Sequence, residues 1–240
     1  MKFAIIGLGY LFFFALCSCE PEEISVGFPD LEEPVVDVPK TPIDFTVTET
    51  TTKTLCINGF AGGYPCLGYD LMARIPLSRF KSTEANDSWG WTDSDTAKEY
   101  AIIGLNDGTG FVDISDPVNP VYLGKLPTAT ESSSWRDIKV YKNYAYIVSE
   151  AKEHGVQIFD LTKLRGLESE QNFTSDGVLN AVNRAHNIFI NEESGFGYVV
   201  GTNRENEYEG GVYFLDLADP LNPVVVGGYG EQGYTHDAQV

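Results

Sequence analysis

Short apolar runs cut by turn residues dominate the chain after Phe45, where almost no helical period is visible. The runs EYAIIGLND, NYAYIVSEA and GFGYVVGTN are rich in β-branched and aromatic residues, and Gly, Asn, Asp and Pro stand between them. Runs of this kind, bounded by turn formers, are typical of β-strands. The pattern therefore predicts an all-β fold built from many short strands.

The strand pattern repeats with a period near fifty residues. GTGFVDISDPVNPVYLG returns as GGVYFLDLADPLNPVVVG, and GVQIFDLTKL is a weaker copy. A further strand opens with a polar pair in WRDIKVY, AHNIFIN and THDAQV, so that Asp137, Asn187 and Asp237 are 50 residues apart. The dipeptides Asp116-Pro117 and Asp219-Pro220 are predicted to form turns before the outermost strands.

Four short strands in a repeat of about fifty residues are the signature of a β-propeller blade, which must stack on neighbours to bury both faces. We expect residues 46–240 to form three blades and the first strand of a fourth. Such a ring is incomplete, which suggests a piece of a longer protein. The segment 69–77 resembles an outer strand that would complete a blade, whereas NFTSDGVLNAV leaves the outer strand of the second blade open.

The first 45 residues predict export. Residues 1–18 carry one positive charge and then an apolar run, long enough for a signal peptide and short for a membrane span. The alternative, a buried N-terminal helix, is disfavoured by the charged segment that follows. The run ends in LCSC, which resembles a bacterial lipobox and predicts lipidation of Cys19. Residues 19–45 are acidic and hold five of the 12 prolines, so we expect a disordered tether that holds the protein at the outer membrane or cell surface.

The net charge limits the kinds of partner that the protein can bind, and the cysteines indicate the compartment in which it resides. The formal net charge of −19 disfavours nucleic acid as a partner, because no basic patch is available to neutralise phosphates. Cys56 and Cys66 flank a glycine-rich turn, and two such cysteines in an exported chain predict a disulfide. A metal site at these cysteines is less favoured, since no histidine lies nearby in sequence.

Several motifs between about Leu55 and Val240 point to a known family. They are CINGFAGGYPCLGYDLMARIPL, GWTDSDTAKEYAIIGLNDGTGFVDISDP, SSSWRDIKVYKNYAYIVSEAKEHGVQIFDL, AHNIFINEESGFGYVVGTN and GYTHDAQV. Together they resemble the choice-of-anchor B family, and the repeats resemble the LVIVD repeat. The resemblance implies an exported, surface-anchored, repeat-built β protein that normally runs well past residue 240. It implies no reaction and transfers no catalytic residue.

The polar pairs that open the inner strands are the candidate site. The first strand of a propeller blade lines the central channel, so the pairs are expected to converge near one mouth of that channel. They are Arg136-Asp137, His186-Asn187 and His236-Asp237, with Trp135 beside them. Side chains alternate along a strand, so one member of each pair should face the axis and the other the neighbouring blade.

Three roles for these residues are open from the sequence. The first is structural, through hydrogen bonds between blades or to channel water. The second is binding of a small ligand, glycan, peptide or protein, or of a transition metal through His186, His236 and Asp237. The third is catalysis, with a histidine as base and Arg136 stabilising an anion. We expect a binding module without a cofactor, and the alternative is an exported metal-assisted hydrolase.

Overall fold

Antiparallel strands form nearly all of the regular structure in residues 52–240, the part of the chain that the computed structural model describes. The predicted signal peptide, the tether and Cys19 lie outside the described residues. The strands of the described part are β1 (Phe60–Ala61), β2 (Tyr64–Pro65), β3 (Ala85–Thr92), β4 (Glu99–Leu105), β5 (Gly108–Asp113), β6 (Val121–Pro127), β7 (Arg136–Tyr141), β8 (Tyr144–Ser149), β9 (Val156–Asp160), β10 (Gln171–Asn172), β11 (Gly177–Leu179), β12 (Asn187–Asn191), β13 (Phe196–Val200), β14 (Val212–Asp216) and β15 (Val224–Tyr229).

Two short 3₁₀ helices, Leu77–Phe80 and Leu161–Leu164, complete the regular structure of the described part. In residues 52–240, no helix is long and apolar enough to cross a membrane.

Three sheets follow the predicted repeat, and we call them blades 1, 2 and 3. Blade 1 has the order β3-β4-β5-β6, and the short β10 adds to its edge parallel to β6. Blade 2 has the order β7-β8-β9-β11, and blade 3 the order β12-β13-β14-β15. All pairings inside these four-stranded sets are antiparallel. The predicted all-β, propeller-like architecture is confirmed in the described residues.

The blades stack face to face with apolar side chains between them. Strand β7 contacts β3 on one side and β12 on the other, so the first strands of the blades are neighbours. The core between blades 1 and 2 includes Ile102, Phe111 and Ile147, which are fully buried. The core between blades 2 and 3 includes Tyr146 and Leu215. Stacking thus removes from water the faces that a lone sheet would expose.

Aspartates at equivalent positions close the turns of the three blades. The aspartate that ends the third strand of each blade accepts a hydrogen bond from the backbone N–H two residues later, at Asp113, Asp160 and Asp216. Asp116 and Asp219 do the same in the predicted Asp-Pro turns. The contacts of Asp116 and Asp219 confirm the predicted turns, and Asp113, Asp160 and Asp216 act as turn formers as well.

The outer edges of the sheets differ from the sequence expectation in one place. The segment 69–77 contains no strand, and Leu71 makes only an isolated bridge to Thr54. Ile75 and Phe80 instead pack on the free face of blade 1, against residues such as Val112. The expectation that this segment completes the last blade of the ring stays a prediction, and in the described residues its apolar side chains cover a sheet face of blade 1.

The segment after β9 supplies strands to two blades. Strand β11 is the outer strand of blade 2, which the sequence pattern left open, and it pairs with β9. Strand β10 crosses to the edge of blade 1 and pairs with β6. Residues 235–240, which we expected to begin a fourth blade, lie in no strand of the described chain.

A disulfide joins Cys56 to Cys66, with the two Cα atoms 5.9 Å apart. It spans the β1–β2 hairpin, where the Cys66 N–H donates to the Gly59 carbonyl at 2.8 Å. The Cys56 N–H donates to the Asp70 carboxylate at 2.9 Å. The predicted pairing is therefore confirmed.

Candidate functional site

The structure adds a fourth polar pair to the three that the sequence predicted, and it lies on the inner strand of blade 1. Strand β3 carries Asn86 and Asp87, so that Asp87, Asp137, Asn187 and Asp237 form one series with a spacing of 50 residues. The Asn86 side chain donates to the Arg136 carbonyl at 3.0 Å, across to the inner strand of blade 2. The numerical spacing could have identified the pair, but the residues after Asp87 do not resemble the aliphatic run that follows Asp137.

Asp137 lies on the side of β7 that faces the next inner strand. One carboxylate oxygen accepts from the Ile138 N–H at 2.8 Å and from the Lys139 ammonium at 2.5 Å. The other oxygen accepts from the Ile188 N–H of β12 at 2.8 Å. Asp137 is buried, and it therefore joins blades 2 and 3 through a buried, charge-assisted hydrogen bond.

Lys139 occupies the space between the inner strands of the three blades. Its ammonium lies 3.9 Å from an Asp87 oxygen, 4.4 Å from the centre of the Trp89 ring and 5.7 Å from that of Phe189. Residues 89, 139 and 189 are again 50 apart, so they share one register. Burial, and then the nearby Asp87 carboxyl, raise the pKa of Asp137 to about 6. The chain thus supplies its own cation beside these carboxylates.

Arg136 points away from the axis into the interface between blades 1 and 2. Its guanidinium is 1% exposed and donates to the Leu105 carbonyl, the Thr128 hydroxyl and the His154 ring, each at 2.8 or 2.9 Å. Burial lowers the pKa of Arg136 to about 10. The expectation that Arg136 lines an open pocket is therefore wrong: its donors satisfy buried acceptors.

His154 is the buried partner of Arg136. A guanidinium can only donate, so the His154 Nε2 that faces it is the acceptor, and Nδ1 donates to the Gly155 carbonyl at 3.0 Å. Burial, and then the charge of Arg136, lower the pKa of His154 to about 4. This histidine is therefore neutral at physiological pH and serves the packing of blades 1 and 2.

A row of aromatic rings crosses the end of the blades where β7 begins. The Trp135 and His186 rings have centroids 5.5 Å apart, and the His186 and His236 rings lie 4.2 Å apart. Tyr234 follows at 6.3 Å from His236. The His186 Nδ1 is 2.6 Å from a Glu150 carboxylate oxygen. We call Trp135, Glu150, His186, Tyr234 and His236 the mouth cluster.

Gly201 sets the position of His186. The backbone of Gly201 has a φ of +68°, and a Cβ placed on it would overlap the Cβ of His186. The Gly201 N–H donates to the Thr235 carbonyl at 2.6 Å, which brings the segment that carries His236 alongside. A glycine is required here both for the left-handed backbone and for the close approach.

A polar cleft of about 270 Å³ adjoins the mouth cluster. Its lining residues are Glu150, Arg184, Gly201, Thr202, Arg204, Glu205 and Tyr234. The loop after β13 forms one wall and is held by Asn206, whose side chain accepts from the Tyr208 and Gly210 N–H groups and donates to the Thr202 hydroxyl. The sequence reading missed Glu150, Arg184 and Arg204, because these residues lie outside the repeated register.

The other predicted site residues do not add to this cluster. Asn187 begins β12 and is half-buried, whereas Asp237 is exposed and accepts from the Ala238 N–H at 2.8 Å. In residues 52–240, no three His, Cys, Asp or Glu side chains come together in a way that could hold a metal ion. The proposed metal ligands His186, His236 and Asp237 therefore do not form such a group in the described part.

The fold and site define a repeat-built, β-propeller-like protein with a polar cleft at one end of its blades. The family model of the LVIVD repeat matches residues 98–128 and 134–154. These segments cover β4–β6 of blade 1 and β7–β8 of blade 2, so both matches lie within the stacked blades. The matches support LVIVD repeats in this chain. No curated protein compared with the chain matches it.

Proposed function

We propose that this protein is an exported surface protein, anchored by lipid on Cys19, whose blades form a binding module for a glycan, peptide or protein. The observation that carries the proposal is the convergence of Trp135, His186 and His236, one from each of three successive repeats, beside an open polar cleft. Stacked repeats commonly place their loops on one end as a recognition surface.

Two further observations support this proposal. The Cys56–Cys66 disulfide suits an oxidising compartment outside the cytosol. Trp135 is 50% exposed, although the two residues that follow it, Arg136 and Asp137, are buried. A large exposed aromatic ring next to a polar cleft is a common recognition element.

Binding of the purified chain to glycan and peptide arrays tests the proposal. We expect selective binding that Trp135→Ala and His186→Ala each weaken by about tenfold or more, since anchoring aromatic residues dominate such interfaces. Tyr69→Ala is the matched control, because Tyr69 is 83% exposed and lies beyond the blades. Equal binding by all three variants, or no selective binding by the native chain, would argue against a site at the mouth cluster.

A further inference from the structure

Two arginines at the polar cleft, Arg184 and Arg204, lack the carboxylate partner that most described cations have. Most described lysines and arginines pair with a carboxylate, as expected in a chain with 35 acidic and 16 basic residues. The paired cations are Lys53, Lys81, Lys98, Lys125, Lys139, Lys152, Lys163 and Arg165. Within the described residues, Arg184 and Arg204 form no ion pair, and both line the cleft.

The two guanidinium groups are positioned by neutral partners. The Arg184 Nε donates to the Asn203 side-chain oxygen at 2.5 Å, which leaves its terminal nitrogens for other acceptors. The Arg204 guanidinium lies 4.3 Å from the centre of the Tyr234 ring, a cation–π contact that leaves the edge of the group open. Both groups can therefore present N–H donors to an acceptor inside the cleft.

The carboxylates of the cleft do not neutralise these arginines. Glu150 and Glu205 also line the cleft, but neither forms an ion pair with Arg184 or Arg204. Glu150 is instead held by the His186 Nδ1 at 2.6 Å, which fixes one of its oxygens and leaves the other as an acceptor. The cleft thus separates fixed donors for an anion from fixed acceptors for hydroxyl groups.

The aromatic rings of the mouth cluster add an apolar surface beside the charged groups of the cleft. The rings of Trp135, His186, His236 and Tyr234 form a continuous row, and Trp135 is half exposed. The C–H face of a sugar ring packs well on such flat aromatic groups, while sugar hydroxyls donate to carboxylates. A guanidinium matches the two oxygens of a carboxylate in a planar, bidentate geometry.

We infer that the polar cleft binds an acidic sugar, whose carboxylate is held by Arg184 and Arg204 and whose hydroxyl groups donate to Glu150. This inference rests on the proposed binding function and specifies the ligand class of that same site. The volume of about 270 Å³ suits one sugar ring rather than a long chain of them. A longer glycan would present one acidic residue to the cleft and extend along the aromatic row.

Isothermal titration calorimetry of the purified chain with glucuronate, glucose and alanine tests the inference. We expect glucuronate to bind at least about tenfold more tightly than glucose, because its carboxylate adds charge-assisted hydrogen bonds. Arg184→Gln and Arg204→Gln should each remove most of this preference without changing the melting temperature. Lys142→Gln is the control: it removes one positive charge at the far end of β7 and should leave the preference intact.

The possible results separate the ligand class from the binding function. Equal affinity for glucose and glucuronate would refute the role of the two arginines. If free alanine binds as tightly as glucuronate, the assignment of a sugar as the ligand is refuted. If none of the probes binds while the array identifies a different ligand at the mouth cluster, the acidic-sugar inference fails and the binding function stands. If neither the probes nor the array gives a ligand, both fail.

Discussion

The carboxylate of Asp137 accepts a hydrogen bond from the backbone N–H of Ile188, 2.8 Å away on the inner strand of the next blade. This bond joins two sheets at the residue where the repeat places its polar pair. It also satisfies the backbone N–H of Ile188, a buried donor near the start of β12. The structural role considered for the pair is therefore present at Asp137, whereas the mouth cluster uses the preceding position of the pair, His186 and His236.

Replacement of Asp137 by Ala should destabilise the protein by about 2–4 kcal/mol. The change leaves the Ile188 N–H and the Lys139 ammonium without their buried acceptor, and orphaned buried partners carry a large cost. Urea unfolding followed by circular dichroism measures the loss. Asp237→Ala, at the same register but exposed, should change stability by less than about 0.5 kcal/mol. Equal effects of the two substitutions would show that Asp137 does not join the blades.

The repeat predicted the strands and their order because burial imposes the same alternation on each blade. Asp116 and Asp219 could be assigned to turns for the same reason: equivalent turns need the same side-chain acceptor. The inner-strand spacing also placed Asp137 correctly. Contacts that occur once, however, carry no periodic signal, and the outer strand β11 and the crossover strand β10 could not be located from the pattern.

The candidate site was predicted only where it shares the register of the repeat. His186 and His236 do come together, because equivalent positions on stacked blades are neighbours. The direction of Arg136 could not be derived, since its burial depends on acceptors from blade 1 and on His154. Arg204 lies in a long loop whose conformation depends on Asn206, so nothing in the local sequence places its side chain beside Tyr234.

His154 should make the stability of the protein decrease in mild acid. Its pKa is about 4 when folded and about 6.5 when unfolded, so the unfolded chain binds more protons between these values. The contribution of neutral His154 is complete above about pH 6.5 and is lost as the pH falls to about 4, on the order of 3 kcal/mol. The raised pKa of Asp137 acts in the opposite direction, because its folded form gains a proton first as the pH falls.

Comparison with His154→Gln isolates this effect from that of Asp137. Glutamine can still accept from Arg136 but does not titrate, and Asp137 is retained in both proteins. We expect the native chain to lose stability relative to the variant as the pH is lowered from 7 to 4, in urea unfolding at several pH values. A constant difference over this range would mean that His154 does not titrate there.

Replacement of Gly201 by Ala should disrupt the mouth cluster. The added Cβ overlaps His186, and alanine disfavours the left-handed backbone, so we expect a loss of about 2 kcal/mol together with displacement of the His186 ring. Urea unfolding gives the first quantity, and NMR signals of the His186 imidazole give the second. Gly63→Ala is the control, because Gly63 has open space around it and no left-handed backbone. Unchanged His186 signals in Gly201→Ala would contradict the positioning role.

Lipid on Cys19 should determine whether the protein stays with the membrane. Cys19 lies outside the described residues, and the prediction rests on the LCSC motif at the end of an apolar run. Because one acyl chain gives only weak and reversible binding, a multiply acylated cysteine is needed for stable anchoring. Cys19→Ala should therefore move the protein to the soluble fraction and remove the acyl mass from its N-terminal peptide. Cys17→Ala removes a thiol two residues earlier and should leave both unchanged. Membrane partition that persists in Cys19→Ala would mean that another part of the protein holds it there.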